Sequence, residues 1–98
     1  MAGGLRIDEP ATDLAVLAAL VSSHLDRPIS SDTVIFGEVG LSGEVRAVQS
    51  ARNRMMEAYQ IGMRRIVLPK NNEDLGEMPE DLTLVTVRHV NELLEVLF

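Results

Sequence analysis

Few side chains in this sequence are equipped for covalent chemistry, and their spacing works against most of them. Ser22, Ser23 and His24 put hydroxyls beside an imidazole. Adjacent residues on a helix point to different faces, so this run does not make a nucleophile–base pair. Ser30, Ser31 and Ser42 read as turn residues. The only histidines, His24 and His89, have no partner at metal-ligand spacing. Cysteine is absent, which removes disulfides and thiolate metal sites and fits a reducing, cytoplasmic setting. Glu38 and Glu44 form a conceivable acid/base pair, although carboxylates in a turn near a sheet end are ordinarily solvated. Gly37, Gly40 and Gly43 recur at a spacing of three, which is not the spacing of a dinucleotide fingerprint, and the phosphate-loop lysine motif is missing. Nucleotide hydrolysis, metal binding and a cofactor of this domain's own are not expected.

Charge is the stronger signal. The chain of 98 residues has net charge −6, unevenly spread. Residues 1–44 carry net −5, residues 45–70 net +5 and residues 71–98 net −6. The basic middle third contributes Arg46, Arg52, Arg54, Arg64, Arg65 and Lys70. These six have two readings. One is a solvated basic face that pairs with the chain's own acids. The other is a contact surface for phosphates or for an acidic patch on a neighbouring subunit. No aromatic residues interleave with them, so base stacking is not expected, and any nucleic-acid contact falls on the backbone.

The elements that must position these groups follow from patterning. Pro10, behind Asp8 and Glu9, suits a first helical position and predicts a helix over 10–25. Leu14, Leu17, Ala18, Val21 and Leu25 share one of its faces, while Ala15, Val16, Ala19 and Leu20 cover much of the rest, so it should be covered on more than one side. The centre of the sequence is 34–48, VIFGEVGLSGEVRAV, read as a buried strand over 33–37, a tight glycine turn and a return strand over 45–48. Val39 and Leu41 should pack the turn onto the body. A second helix is expected over 50–60, with Ser50 as N-cap, Ala51, Met55, Ala58 and Tyr59 inward, and Gly62 as the stop. A buried strand over 65–68 completes a βαβ unit, which should cross over right-handed. An acidic loop over 70–81, a strand over 82–87 and a short helix over 90–97, with Leu93, Leu94 and Leu97 inward, finish the chain. A further strand end is read at 5–7. The longest apolar run, 14–21, falls well short of the roughly 20 residues of a membrane span, and no signal peptide is read.

The stretch GEVGLSGEVRAV, a helix and then GMRRIVLP resembles the middle of a Lon-type proteolytic domain. With AGGLRIDEPATDLAVLAALVSSHLDRP before it, the chain more closely resembles the Lon-like C-terminal domain of the RadA/Sms family of bacterial recombination and repair proteins. The resemblance covers residues 2 to about 72. It implies one α/β (α+β) domain over 2–98 with a Lon proteolytic-domain-like fold, a mixed sheet packed by helices, and an N-terminally truncated form with an unpaired sheet edge and an uncovered apolar face. A Lon-type peptidase works with a serine nucleophile and a lysine base. Matched through Arg27-Pro28, the serine position falls on Ala11; matched through Gly43 and Pro69, the lysine position falls on Arg52. Alanine has no nucleophile, and an arginine, with a pKa above about 12, cannot act as a base. The resemblance therefore implies a non-proteolytic scaffold, with a divergent Ser-Lys peptidase as the alternative. It further implies self-association in a hexameric ring and contact with duplex or branched DNA through a longer parent protein. ATP, Mg and Zn would belong to that parent's ATPase and zinc modules, and no membrane partner is implied.

Overall fold

The computed structural model describes residues 9–72 and 74–98. The strand end read at 5–7 lies outside them. A 3₁₀ turn, Pro10–Thr12, leads into helix α1 (Asp13–Leu25). Strands β1 (Thr33–Ile35), β2 (Glu38–Val39) and β3 (Val45–Arg46) follow. Helix α2 (Ala51–Gln60), strands β4 (Arg65–Pro69) and β5 (Thr83–Val87) and helix α3 (Leu93–Leu97) complete the order.

Strand β4 is central. It pairs in parallel with β1 on one side and β5 on the other. Ile66, Val67 and Leu68 have no exposed surface, as expected of a parallel strand covered on both faces. Side chains alternate across a strand, and the packing follows that alternation. Ile66 and Leu68 join Ala51, Met55 and Ala58 of α2, with Phe36, Leu75 and Leu82. Val67 joins Leu14 and Ala18 of α1, Val87, and Leu93 of α3. The result is a three-layer α/β arrangement.

The return strand does not pair with β1. Strand β1 pairs in the parallel sheet, whereas the return strand β3 pairs with β2 in a separate antiparallel ribbon, in which Glu38 faces Arg46 and Val39 faces Val45. The reason lies at Gly37. Its N–H donates to the Ala11 carbonyl (2.9 Å), and its carbonyl accepts the Leu14 N–H (3.0 Å). With both groups taken by the start of α1, the chain leaves β1 there and turns.

Four further expectations are corrected. Helix α1 is covered on one face only: Leu14 and Ala18 are buried, whereas Leu20 is 62% exposed and Val16 and Leu25 are also exposed. Among the described residues a single sheet face meets this helix. Leu41 does not pack and is fully exposed at the ribbon tip. Leu94 is exposed, because the last segment divides into a 3₁₀ turn (Val90–Glu92) and α3, which rotates the inward positions to Leu93. Ser50 precedes α2 but does not cap it with its side chain. It adopts a left-handed conformation (φ 57°), and its carbonyl accepts the Arg54 N–H (3.0 Å).

A side-chain cap is found at the 3₁₀ turn Val90–Glu92, where it is made by His89. Its Nδ1 accepts the Asn91 N–H (3.2 Å), and Glu92 accepts the His89 N–H (2.9 Å) and the Arg88 N–H (2.5 Å), a reciprocal capping box. Those two backbone donors hold the Glu92 carboxyl below its usual range near 4.5. A carboxyl depressed on folding stabilises fully above its ordinary value and loses that contribution as pH falls through the lowered one. Thermal midpoints should therefore be flat above pH 4.5 and fall below it, and Glu92→Gln should shrink the fall while lowering the neutral-pH midpoint.

Candidate functional site

The 3₁₀ turn before α1 places Ala11 beside a cavity of about 510 Å³, lined also by Glu9, Glu38, Gln49 and Arg54. Ala11 itself is buried. Arg54 spans this cavity, with Nη2 3.1 Å from a Glu9 carboxylate oxygen and Nε donating to the Gln49 carbonyl (3.0 Å). No hydroxyl, thiol, imidazole or amine lies among the described side chains that line it. Arg52 is not in this cavity. It sits on the exposed face of α2 near Met56, Glu77 and Met78, and its Nη1 donates to the Leu75 and Glu77 carbonyls (2.5 Å each). The two positions matched to serine and lysine are therefore not brought to one cavity, and the cation beside Ala11 is Arg54.

Several of the other sequence candidates are engaged in structural bonds. Ser22 donates to the Arg27 carbonyl (2.6 Å) and Ser30 to an Asp32 carboxylate oxygen (2.6 Å). The Ser42 carbonyl meets His89 Nε2 at 2.9 Å. Glu38 and Glu44 share one guanidinium: Arg46 Nη2 is 2.7 Å from Glu44, and Nη1 is 3.6 Å from Glu38. The hydrogen bond from Arg46 holds the Glu44 carboxyl below its usual range, the wrong direction for a general acid at neutral pH. Among the described residues no group of three or more acidic, histidine or cysteine side chains is placed to hold a metal. No helix among them is long and apolar enough to cross a membrane.

The six basic residues do not form one face. Arg64 stacks over the Tyr59 ring (3.9 Å), lies 3.3 Å from Asp81, and donates to the Tyr59 and Met63 carbonyls. Arg65 points to the opposite side of the sheet and donates to the Val96 carbonyl. Arg52 is engaged with the 70–81 loop. Arg46 and Lys70 do converge. They line a second cavity of about 350 Å³ at the carboxyl ends of β4 and β5, together with Glu44, Asn71 and Arg88. Arg88 was not among the sequence candidates. It is the only basic residue among seven acids in 71–98, so segmental charge hid it. The available signal was local: Arg88 directly follows the strand read over 82–87, and Lys70 comes just after Pro69, which closes the strand read over 65–68.

Residues 2–98 match the family described as the Lon protease (S16) C-terminal proteolytic domain. Among curated proteins, the chain is 44% identical over 94 residues to the DNA repair protein RadA of Listeria monocytogenes, covering 96% of this chain and 21% of that protein. It is 45% identical over 98 residues to RadA of Aquifex aeolicus, covering 100% of this chain and 21% of the relative. With RadA of Escherichia coli K12 it shares 43% over 94 residues, covering 96% and 20%. The chain thus spans about a fifth of the length of these relatives. Its glycine turn, parallel βαβ core and continuous match place it in a defined group: the chain belongs to the Lon protease C-terminal proteolytic domain family.

Proposed function

We propose that this chain is a non-proteolytic Lon-like scaffold domain of a RadA-type DNA repair and recombination protein, supporting ring assembly and contact with the backbone of duplex DNA. The observation that carries the reading is the Ala11 cavity, whose described lining offers neither a nucleophile nor a neutral amine. Arg52, at the position matched to the lysine base, carries a permanent charge and is bonded to loop carbonyls outside that cavity. Similarity to RadA proteins over nearly the whole chain supports the repair setting. On this reading ATP, Mg and Zn serve other parts of a cytoplasmic parent, which self-associates as a hexameric ring.

A divergent Ser-Lys peptidase is the competing reading, favoured by the family's proteolytic members. A fluorogenic peptide assay with a serine-directed fluorophosphonate probe separates the two. The expected result is no turnover and no labelled serine; stoichiometric labelling of any serine overturns the scaffold reading. For the DNA role, the parent protein is compared with a version lacking this domain in duplex binding at low salt. Equal affinity would remove DNA contact from the assignment.

A further inference from the structure

We infer that the cavity bounded by Arg46, Lys70 and Arg88 is a phosphate-group site. Three cations reach it from three elements: Arg46 from β3, Lys70 just after β4 and Arg88 just after β5. Asn71 adds an amide, and Glu44 is the one carboxylate in the lining. In open α/β sheets, ligands bind outside the carboxyl ends of the strands, which is where this cavity lies.

Two carboxylates near the cavity, Glu44 and Glu92, already accept hydrogen bonds. Glu44 accepts from Arg46 Nε (3.2 Å) and Nη2 (2.7 Å) and from the Ser42 N–H (3.1 Å). Arg46 is thereby held in place through one edge of its guanidinium, while Nη1 has only a long contact to Glu38 (3.6 Å). A guanidinium carries five N–H donors, so donors remain for an anion. Glu92 spends its carboxylate on the Arg88 and His89 backbone amides. The Arg88 guanidinium feels the Glu92 carboxylate only through charge attraction, and among the described residues it makes no side-chain hydrogen bond. Two planar guanidinium groups, an ammonium and an amide suit a tetrahedral oxyanion. Aromatic side chains are absent from the lining, so the site takes phosphate and not a stacked base.

The phosphate has two possible sources, a duplex backbone or a free polyphosphate; the first rests on the function proposed above. The test titrates the 98-residue chain with a short DNA duplex and, separately, with inorganic tripolyphosphate, following backbone amide resonances at low salt. The duplex is expected to shift Arg46, Asn71 and Arg88. Arg88→Glu and Lys70→Gln should each weaken binding about tenfold, with Arg88→Lys close to wild type. The wild-type pattern of dispersed resonances establishes folding of each variant. Binding of tripolyphosphate alone at this cavity keeps the phosphate site and rejects the duplex reading. Duplex binding that shifts Arg52, Arg54 and Arg64 and ignores Arg88→Glu keeps the duplex reading and overturns this site. Shifts from neither ligand also overturn it.

Discussion

Gly43→Val should destabilise the fold by about 2–4 kcal/mol, the sum of a left-handed penalty and a collision. Gly43 has φ +85°, where a β-branched residue is strained whatever the space around it. The space is also taken. A Cβ built there falls 2.8 and 2.9 Å from the His89 ring and 3.1 Å from Val90 Cγ2. That ring cannot swing aside cheaply, because Nε2 meets the Ser42 carbonyl and Nδ1 accepts from Asn91. The Gly43 carbonyl also accepts the Val90 N–H (2.9 Å), so a backbone shift loses a further bond. For a domain of this size the thermal midpoint should drop by about 10–25 °C. Gly62→Ala is the control: φ is +103°, yet a Cβ there meets nothing within 4 Å, so only the backbone cost of about 1 kcal/mol remains. Combining Gly43→Val with His89→Ala should recover part of the loss, as expected for residues in contact. Equal costs at Gly43 and Gly62 would remove the steric account.

The sequence made the layers readable because period and composition agreed. The apolar run at 65–68 is central on the sheet, and the inward set of α2 is the buried set, with Tyr59 half-buried beside it. What patterning could not supply was pairing. A glycine turn between two apolar segments looks the same whether the segments pair with each other or whether the first pairs with a strand some thirty residues later. Gly37 decides it through two backbone bonds to the start of α1, and backbone bonds between distant segments leave no trace in side-chain type. Helix α1 misled for a related reason: nine apolar residues fixed its hydrophobicity but not how many neighbours it meets.

The site was legible in charge and not in geometry. Arg46 and Lys70 were found as part of a basic third, but the same count joined them to Arg64 and Arg65, which diverge to opposite sides of the sheet. The arginine that completes their cavity lies in the acidic third. Strand order, with β4 beside β5, brings it there, and strand order emerges only from the whole fold. The matched dyad positions show the same limit. Ala11 was placed at a cavity by its turn, whereas Arg52 was drawn off by the carbonyls of the 70–81 loop.

Leu14→Ala should cost about 2–5 kcal/mol, the range for deleting a buried leucine whose surroundings relax only partly. Leu14 has no exposed surface and packs with Val45, Val67, Val87 and Leu93. The three valines are stiff at χ1, and Val67 and Val87 are set by the parallel ladder, so the void has few side chains able to fill it. The same residue fixes the Ala11 turn against the end of β1 through its amide bond to Gly37. Val16→Ala on the exposed face of α1 should change stability by less than about 0.5 kcal/mol. Denaturant midpoints for the two variants should therefore separate clearly, with the slope unchanged. Gly37 tests the mechanism further. A Cβ there would lie 3.1 Å from Leu14 Cδ2 and 3.2 Å from Val45 Cγ1, so Gly37→Ala overpacks the wild-type core. Shortening Leu14 removes that Cδ2 contact. Gly37→Ala should then be less harmful, or stabilising, in the Leu14→Ala background, and the double variant should lose less than the sum of the singles. Strict additivity would mean that the void collapses or that the glycine is required for a reason other than space.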